Sequence, residues 1–185
     1  MEVNNKTAPV TGQQDQNTIS LDLMNRMKLH GMAEAFRESL AGTTPQSMTA
    51  DTFLSMLLAR EWDYRAQAAI ARLTKNAAFR YKAYIEQVDY ATNRGLDRNQ
   101  MERLATLDFV HKAQNLFITG SSGTGKSYLA CALGHEACKR GFRTLYANAP
   151  KLRGALKVAK VKGTLETELK KIERCQLLIL DDLFF

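Results

Sequence analysis

Between residues 120 and 127 the chain reads Gly120-Ser121-Ser122-Gly123-Thr124-Gly125-Lys126-Ser127, with three glycines, one lysine and four hydroxyls in eight positions. A triphosphate needs several backbone N–H groups pointing inward around it, and side chains at those positions would obstruct them. Gly120, Gly123 and Gly125 permit that close approach and its unusual dihedrals. Lys126 adds a full positive charge near the β- and γ-phosphates, and the Ser127 hydroxyl can ligate Mg²⁺. The second group capable of chemistry lies 54 residues beyond Ser127, where Asp181 and Asp182 follow Leu177-Leu178-Ile179-Leu180. A carboxylate at the end of a strand beside such a loop holds Mg²⁺ directly or through water, a task that suits Asp181. Asp182 is then the candidate for polarising an attacking water. Two adjacent carboxylates repel each other unless positive charge lies close by.

These residues work only if strands and helices place them. Leu116-Phe117-Ile118-Thr119 reads as a short apolar strand feeding the loop. A helix should start at Lys126, whose unpaired N-terminal amides favour an anion. It carries Leu129, Ala132 and Leu133 inward and ends with Lys139, Arg140 and the stop residue Gly141. Arg143 to Ala147 reads as the next strand, Pro150 to Arg174 as a mostly helical stretch, and Leu177 to Leu180 as a buried strand. This alternation predicts an α/β fold with a parallel sheet and flanking helices.

The upstream part has a different pattern. Residues 1–19 are polar and read as a disordered tail. Ser20 is placed as N-cap of a helix carrying Leu29, Met32, Ala33, Phe36 and Leu40, which ends at Gly42-Thr43-Thr44-Pro45. A second helix begins near Thr49 to Thr52 and runs into the seventies, with Phe53, Met56, Leu57 and Tyr64 on one face and Glu61 four before Arg65. From 73 to 89, aromatics interleave with basic residues, a pattern that serves either nucleic-acid stacking or core contacts with snorkelling cations. Asn93-Arg94-Gly95 reads as a turn, and Asp97, with Gln100 three later, as the start of another helix. A domain boundary is expected near 75–95, giving a helical N-terminal domain over 20–90 and a nucleotide-binding domain over 91–185.

Of the 185 residues 45% are apolar and 24% charged, which permits a real core. No uncharged apolar run reaches membrane-spanning length and no secretory leader is visible, so neither membrane insertion nor secretion is expected. Cys131, Cys138 and Cys175 have no metal-ligand spacing and fit reduced thiols in a cytoplasmic setting; the first two read as buried filler on one helix. The net charge of +7 is local: residues 151–174 hold eight basic and three acidic side chains, the remainder 18 and 16. A local excess suits a polyanion partner, although a solvated helix face is equally open from charge alone.

Together, Arg94-Gly95-Leu96-Asp97, Leu104-Ala105-Thr106-Leu107-Asp108-Phe109, the loop followed by Tyr128-Leu129-Ala130, and Leu178 to Leu183 resemble the IstB-like transposition helper ATPases of the AAA+ class. The resemblance covers about residues 20–185. It implies a helical N-terminal domain and an AAA+ domain that binds ATP with Mg²⁺, forms homo-oligomers on double-stranded DNA and assists the transposase of the same element. Carried over by position, Gly120 to Ser127 bind phosphates, Ser127 and Asp181 serve Mg²⁺, Lys126 and Asp182 are catalytic, and Lys151, Arg153, Lys157, Lys160 and Lys162 face DNA. A helicase loader and an inert ATP- or DNA-binding fragment are the alternatives. The family continues past the second acidic strand with further strands, a sensor residue, an arginine finger and a lid. Ending at Phe184-Phe185, the chain is expected to be a truncated product with an incomplete P-loop sheet, suited to nucleotide binding more than to turnover.

Overall fold

The computed structural model describes residues 11–42, 48–90 and 95–183. The chain divides into two compact units, one up to Ala68 and one from Ala69. The division falls inside a long helix, ahead of the 75–95 interval.

The first unit is helical, with α1 (Thr11–Arg26), α2 (His30–Leu40) and the first part of α3 (Ala50–Ala77). Residues 11–19, expected in a polar tail, belong to α1, while residues 1–10 lie outside the described residues. Ser20 is accordingly no N-cap. It sits mid-helix, and its hydroxyl donates to the Gln16 carbonyl at 2.9 Å. Gln is a good helix former, so low hydrophobicity by itself did not forbid a helix here. The expected single helix is instead broken at Lys28, whose φ is +59°, and α2 starts afresh at His30.

That restart has a physical cause. Leu29 precedes α2 and offers no side-chain cap. Glu61 from α3 supplies it, accepting from the Gly31 amide at 2.8 Å and the Met32 amide at 3.2 Å. A helix N-terminus carries unpaired donors and partial positive charge, so a carboxylate there satisfies both. Arg65, one turn on, donates to the other Glu61 oxygen at 2.6 Å. The approach is close because position 31 lacks a side chain: a Cβ there would lie 2.7 Å from Tyr64 Cβ.

The second unit contains the end of α3, a 3₁₀ turn (Ile85–Gln87), α4 (Arg98–Ala105), α5 (Asp108–His111), α6 (Lys126–Lys139), β1 (Thr144–Asn148), α7 (Ala149–Val161), α8 (Leu165–Glu173) and β2 (Leu177–Asp181). It is an α/β arrangement, mostly helical, with β1 and β2 paired in parallel and α7–α8 forming the crossover. The register sets Tyr146 opposite Ile179 and Asn148 opposite Asp181. Asp97 caps α4 by accepting from the Asn99 amide at 2.9 Å. Of the turn expected at 93–95, only Gly95 is among the described residues, at φ +68°.

Leu116 to Thr119 form no strand, contrary to the sequence expectation. A strand exists only through pairing, because its N–H and C=O groups need partners across a ladder. Among the described residues β1 and β2 pair with each other and neither flanks 116–119; Phe117 remains 71% exposed. β2 is also less buried than an aliphatic run implied, with Leu180 exposed.

The core of this unit lies beneath α6. Cys131, Ala132 and Ala83 are fully buried, with Phe79, Ile85, Tyr128 and Tyr146 packed around them. Cys131 and Cys138 are thus the apolar filler expected, and burial pushes both thiols up. Gly134 lets the segment after α3 cross α6: a Cβ there would collide with the Phe79 ring and lie 2.8 Å from Ile179 Cδ1. Phe79 also stacks on His135 at 4.3 Å, and His135 Nε2 meets the Tyr81 carbonyl at 3.2 Å. The aromatic and basic residues of 73–89 therefore include genuine core contacts.

Candidate functional site

The loop from Gly120 ends where α6 begins. Gly125, the residue before α6, has φ +86°, a left-handed conformation that favours glycine. It brings no side-chain cap, so no side chain covers the first-turn amides from that position. Gly120 has φ +148°, and even there a Cβ would sit 3.3 Å from Thr124 Oγ1. Two groups converge on the Ser121 carbonyl: Thr124 Oγ1 donates at 2.9 Å and Lys126 Nζ at 2.7 Å. The lysine cation is thereby folded across its own loop, while Ser121, Ser122 and Gly123 stay open to solvent.

The opposite wall is β2. Ser127 Oγ donates to Asp181 Oδ1 at 3.0 Å, joining the first turn of α6 to the C-terminal end of the strand. The same oxygen accepts the Asp182 amide at 3.1 Å. Asp181 Oδ2 accepts from the Tyr146 hydroxyl at 2.5 Å, and Arg80 lies 3.7 Å away. Burial pushes the Asp181 carboxyl up, but the bonds from Tyr146, Ser127 and the Asp182 amide, with the Arg80 charge, outweigh it and hold the group below the ordinary carboxylate range. Burial and the neighbouring carboxylate push the Tyr146 hydroxyl well above its usual value, so it stays a donor.

Asp182 faces a different set. Its φ is +54°, and its Oδ2 accepts from Asn148 Nδ2 at 2.7 Å. Asn148 Oδ1 in turn accepts the Lys151 amide at 3.1 Å and so caps α7. The two adjacent carboxylates are thus directed to separate partners, and Arg80 places a positive charge 3.7 Å from Asp181.

Of the residues expected to act together, Gly120 to Ser127 and Asp181 do share one site. The basic residues behave unequally. Lys151, Arg153, Lys157, Lys160 and Lys162 are exposed on or just after α7, and Lys157 and Lys160 make no ion pair among the described residues. On α8, Lys170 and Lys171 lie by Glu166 and Glu168 at 3.7 and 2.7 Å, so part of the local excess is paired there. Sequence reasoning passed over Arg80, Tyr146 and Asn148. The last two alternate on one strand toward its C-terminal end, a spacing that aims them at one face; Arg80 was read only as one of the basic residues interleaved with aromatics, and its place beside Asp181 depends on Phe79 docking at Gly134.

The sequence has known relatives. The family described as IstB-like ATP binding protein matches residues 22–185. An insertion sequence ATP-binding protein, y4pL, of Sinorhizobium fredii is 40% identical over 163 residues, 88% of this chain and 66% of that protein. The IS1162 ATP-binding protein of Pseudomonas fluorescens is 35% identical over 88% of this chain and 71% of its own length. The IS21 ATP-binding protein of Pseudomonas aeruginosa is 31% identical over 87% and 61%. The chain thus spans about two thirds of the length of these relatives. With the helix start that follows its glycine loop bonded to an acidic strand end and a match over nearly all its length, the chain belongs to the IstB-like ATP-binding protein family.

Proposed function

We propose that this chain binds ATP with Mg²⁺ at the Gly120–Ser127 loop and serves transposition of an insertion element on double-stranded DNA. The 3.0 Å bond between Ser127 and Asp181 carries the reading, since it sets a hydroxyl and a carboxylate at the mouth of an anion-binding helix terminus. The fit to Mg²⁺ is chemical: both are hard oxygen donors, and Mg²⁺ is held by one or two protein oxygens plus phosphates and waters. Among the described residues no group of three His, Cys, Asp or Glu side chains could hold a metal alone, consistent with a site completed by phosphate. When bound, Mg²⁺ neutralises phosphate charge there.

The chain's own groups do the rest. Loop amides from Gly120 to Gly125 and the first turn of α6 receive the phosphates, with Ser121, Ser122 and Thr124 forming the loop around them. Lys126 exchanges the Ser121 carbonyl for phosphate oxygens, a gain because a charged acceptor makes a stronger bond than a neutral one. Asp182 is the carboxylate that polarises an attacking water, as general base, in the hydrolytic reading. Lys151, Arg153, Lys157, Lys160 and Lys162 meet DNA phosphates, and homo-oligomers form along the duplex in the cytoplasm. The insertion-sequence names of the relatives favour a transposase as partner over a replicative helicase.

The test is binding of a fluorescent ATP analogue followed by anisotropy, with and without Mg²⁺. Saturable, Mg²⁺-strengthened binding is expected of the wild-type chain. Absence of binding in both conditions overturns the assignment.

A further inference from the structure

We propose that Tyr146, assisted by Arg80, is a positioning residue for the Asp181 carboxylate and sets the site's affinity for Mg²⁺–nucleotide rather than for nucleotide itself. The inference rests on the reading of the loop as an ATP–Mg²⁺ site.

A carboxylate rotates easily about its terminal torsion, which has a broad profile. Oδ1 of Asp181 can remain at Ser127 only if the plane is fixed at both ends. Ser127 and the Asp182 amide hold Oδ1; Tyr146 holds Oδ2 at 2.5 Å, with Arg80 at 3.7 Å behind it. The tyrosine is itself rigid. It stands on β1 two residues before Asn148, paired with Ile179 across the ladder, and it packs against the buried cluster of Ala83, Cys131 and Ala132. Arg80 is anchored differently, through Phe79 lodged at Gly134 and the Tyr81 carbonyl at His135. Its half-exposed side chain makes it the weaker of the two supports.

A fixed oxygen pair matters more to a small cation than to a triphosphate. Mg²⁺ demands near-octahedral geometry at short range, whereas the loop grips phosphates through many amides. Losing Tyr146 should therefore loosen metal binding selectively.

The experiment uses Tyr146→Phe in the full 185-residue chain, which removes one hydroxyl and keeps the packed ring. Anisotropy of a fluorescent ATP analogue is measured across a Mg²⁺ titration and again in EDTA, with thermal melting as the folding control. The expected result is a Mg²⁺ midpoint raised about tenfold or more, in the range seen when groups supporting metal ligands are removed, with EDTA affinity unchanged. Arg80→Gln, at an exposed position, should shift the midpoint in the same direction by less and keeps the test open if Tyr146→Phe folds poorly. An unchanged midpoint overturns the proposal. So does an equal loss of affinity with and without Mg²⁺, which would make Tyr146 a support of the loop. A wild-type chain that binds nucleotide with no Mg²⁺ dependence, or not at all, would instead defeat the metal-site reading on which the proposal rests.

Discussion

Ser127 and Asp181, 54 positions apart in the chain, meet at 3.0 Å, the hydroxyl donating and the carboxylate accepting. One comes from the first turn of α6 and the other from the last residue of β2, so the bond reports the packing of helix on sheet. The Mg²⁺ role proposed for Asp181 depends on that packing, and Ser127 alone is an ordinary helical serine.

Lys126→Ala is expected to abolish nucleotide binding. Lys126 is the one cation within the Gly120–Ser127 loop, and its Nζ already lies over the loop at the Ser121 carbonyl. Anisotropy with a fluorescent ATP analogue measures it, and wild-type affinity in the variant contradicts the phosphate role.

Replacing Lys157, Lys160 and Lys162 with Gln should weaken duplex DNA binding about equally for all sequences. The slope of log affinity against log salt should flatten by up to about 0.9 for each B-DNA phosphate that is no longer neutralised. All three side chains are exposed, so the fold should be unaffected. An unchanged slope returns them to a solvated helix face.

Acid should weaken the first helical unit through Glu61. Burial pushes this carboxyl up, but Arg65 and the Met32 and Gly31 amides outweigh it and hold it below its ordinary value. A group with a depressed folded pKa stabilises above its unfolded pKa, and that contribution disappears as pH falls through the folded value. Glu61→Gln should thus melt lower than wild type at neutral pH, and the gap should close as pH drops below about 4.3. Melting curves from pH 7 to pH 3 check this; a gap independent of pH would show that the charge contributes nothing.

Gly134→Ala should destabilise the second unit by about 1–3 kcal/mol, the usual cost of overpacking. The added methyl would collide with the Phe79 ring and press on Ile179. Denaturant unfolding measures the loss, and a stability within error of wild type would mean that the segment after α3 yields without cost.

Local chemistry made much of this protein readable from its residues. The glycine loop and the helix start at Lys126 were legible because they depend on short-range geometry, all within eight residues. The same holds for α6, with its Gly141 stop, for α3 from about residue 50 into the seventies, and for the parallel β2 ending at Asp181. What needed the tertiary structure were features set by partners distant in sequence. Leu116 to Thr119 have the apolar content of a strand, yet strand formation depends on a neighbour to pair with. Residues 11–19 have the polarity of a disordered tail, yet they begin the helix that packs on α2. Glu61 caps a helix 30 positions earlier because Gly31 lets α3 approach it, and sequence shows only the i,i+4 pair with Arg65. Arg80, Tyr146 and Asn148 acquire roles only because Phe79 docks on Gly134 and β1 lies in register beside β2, arrangements that no window of local sequence contains.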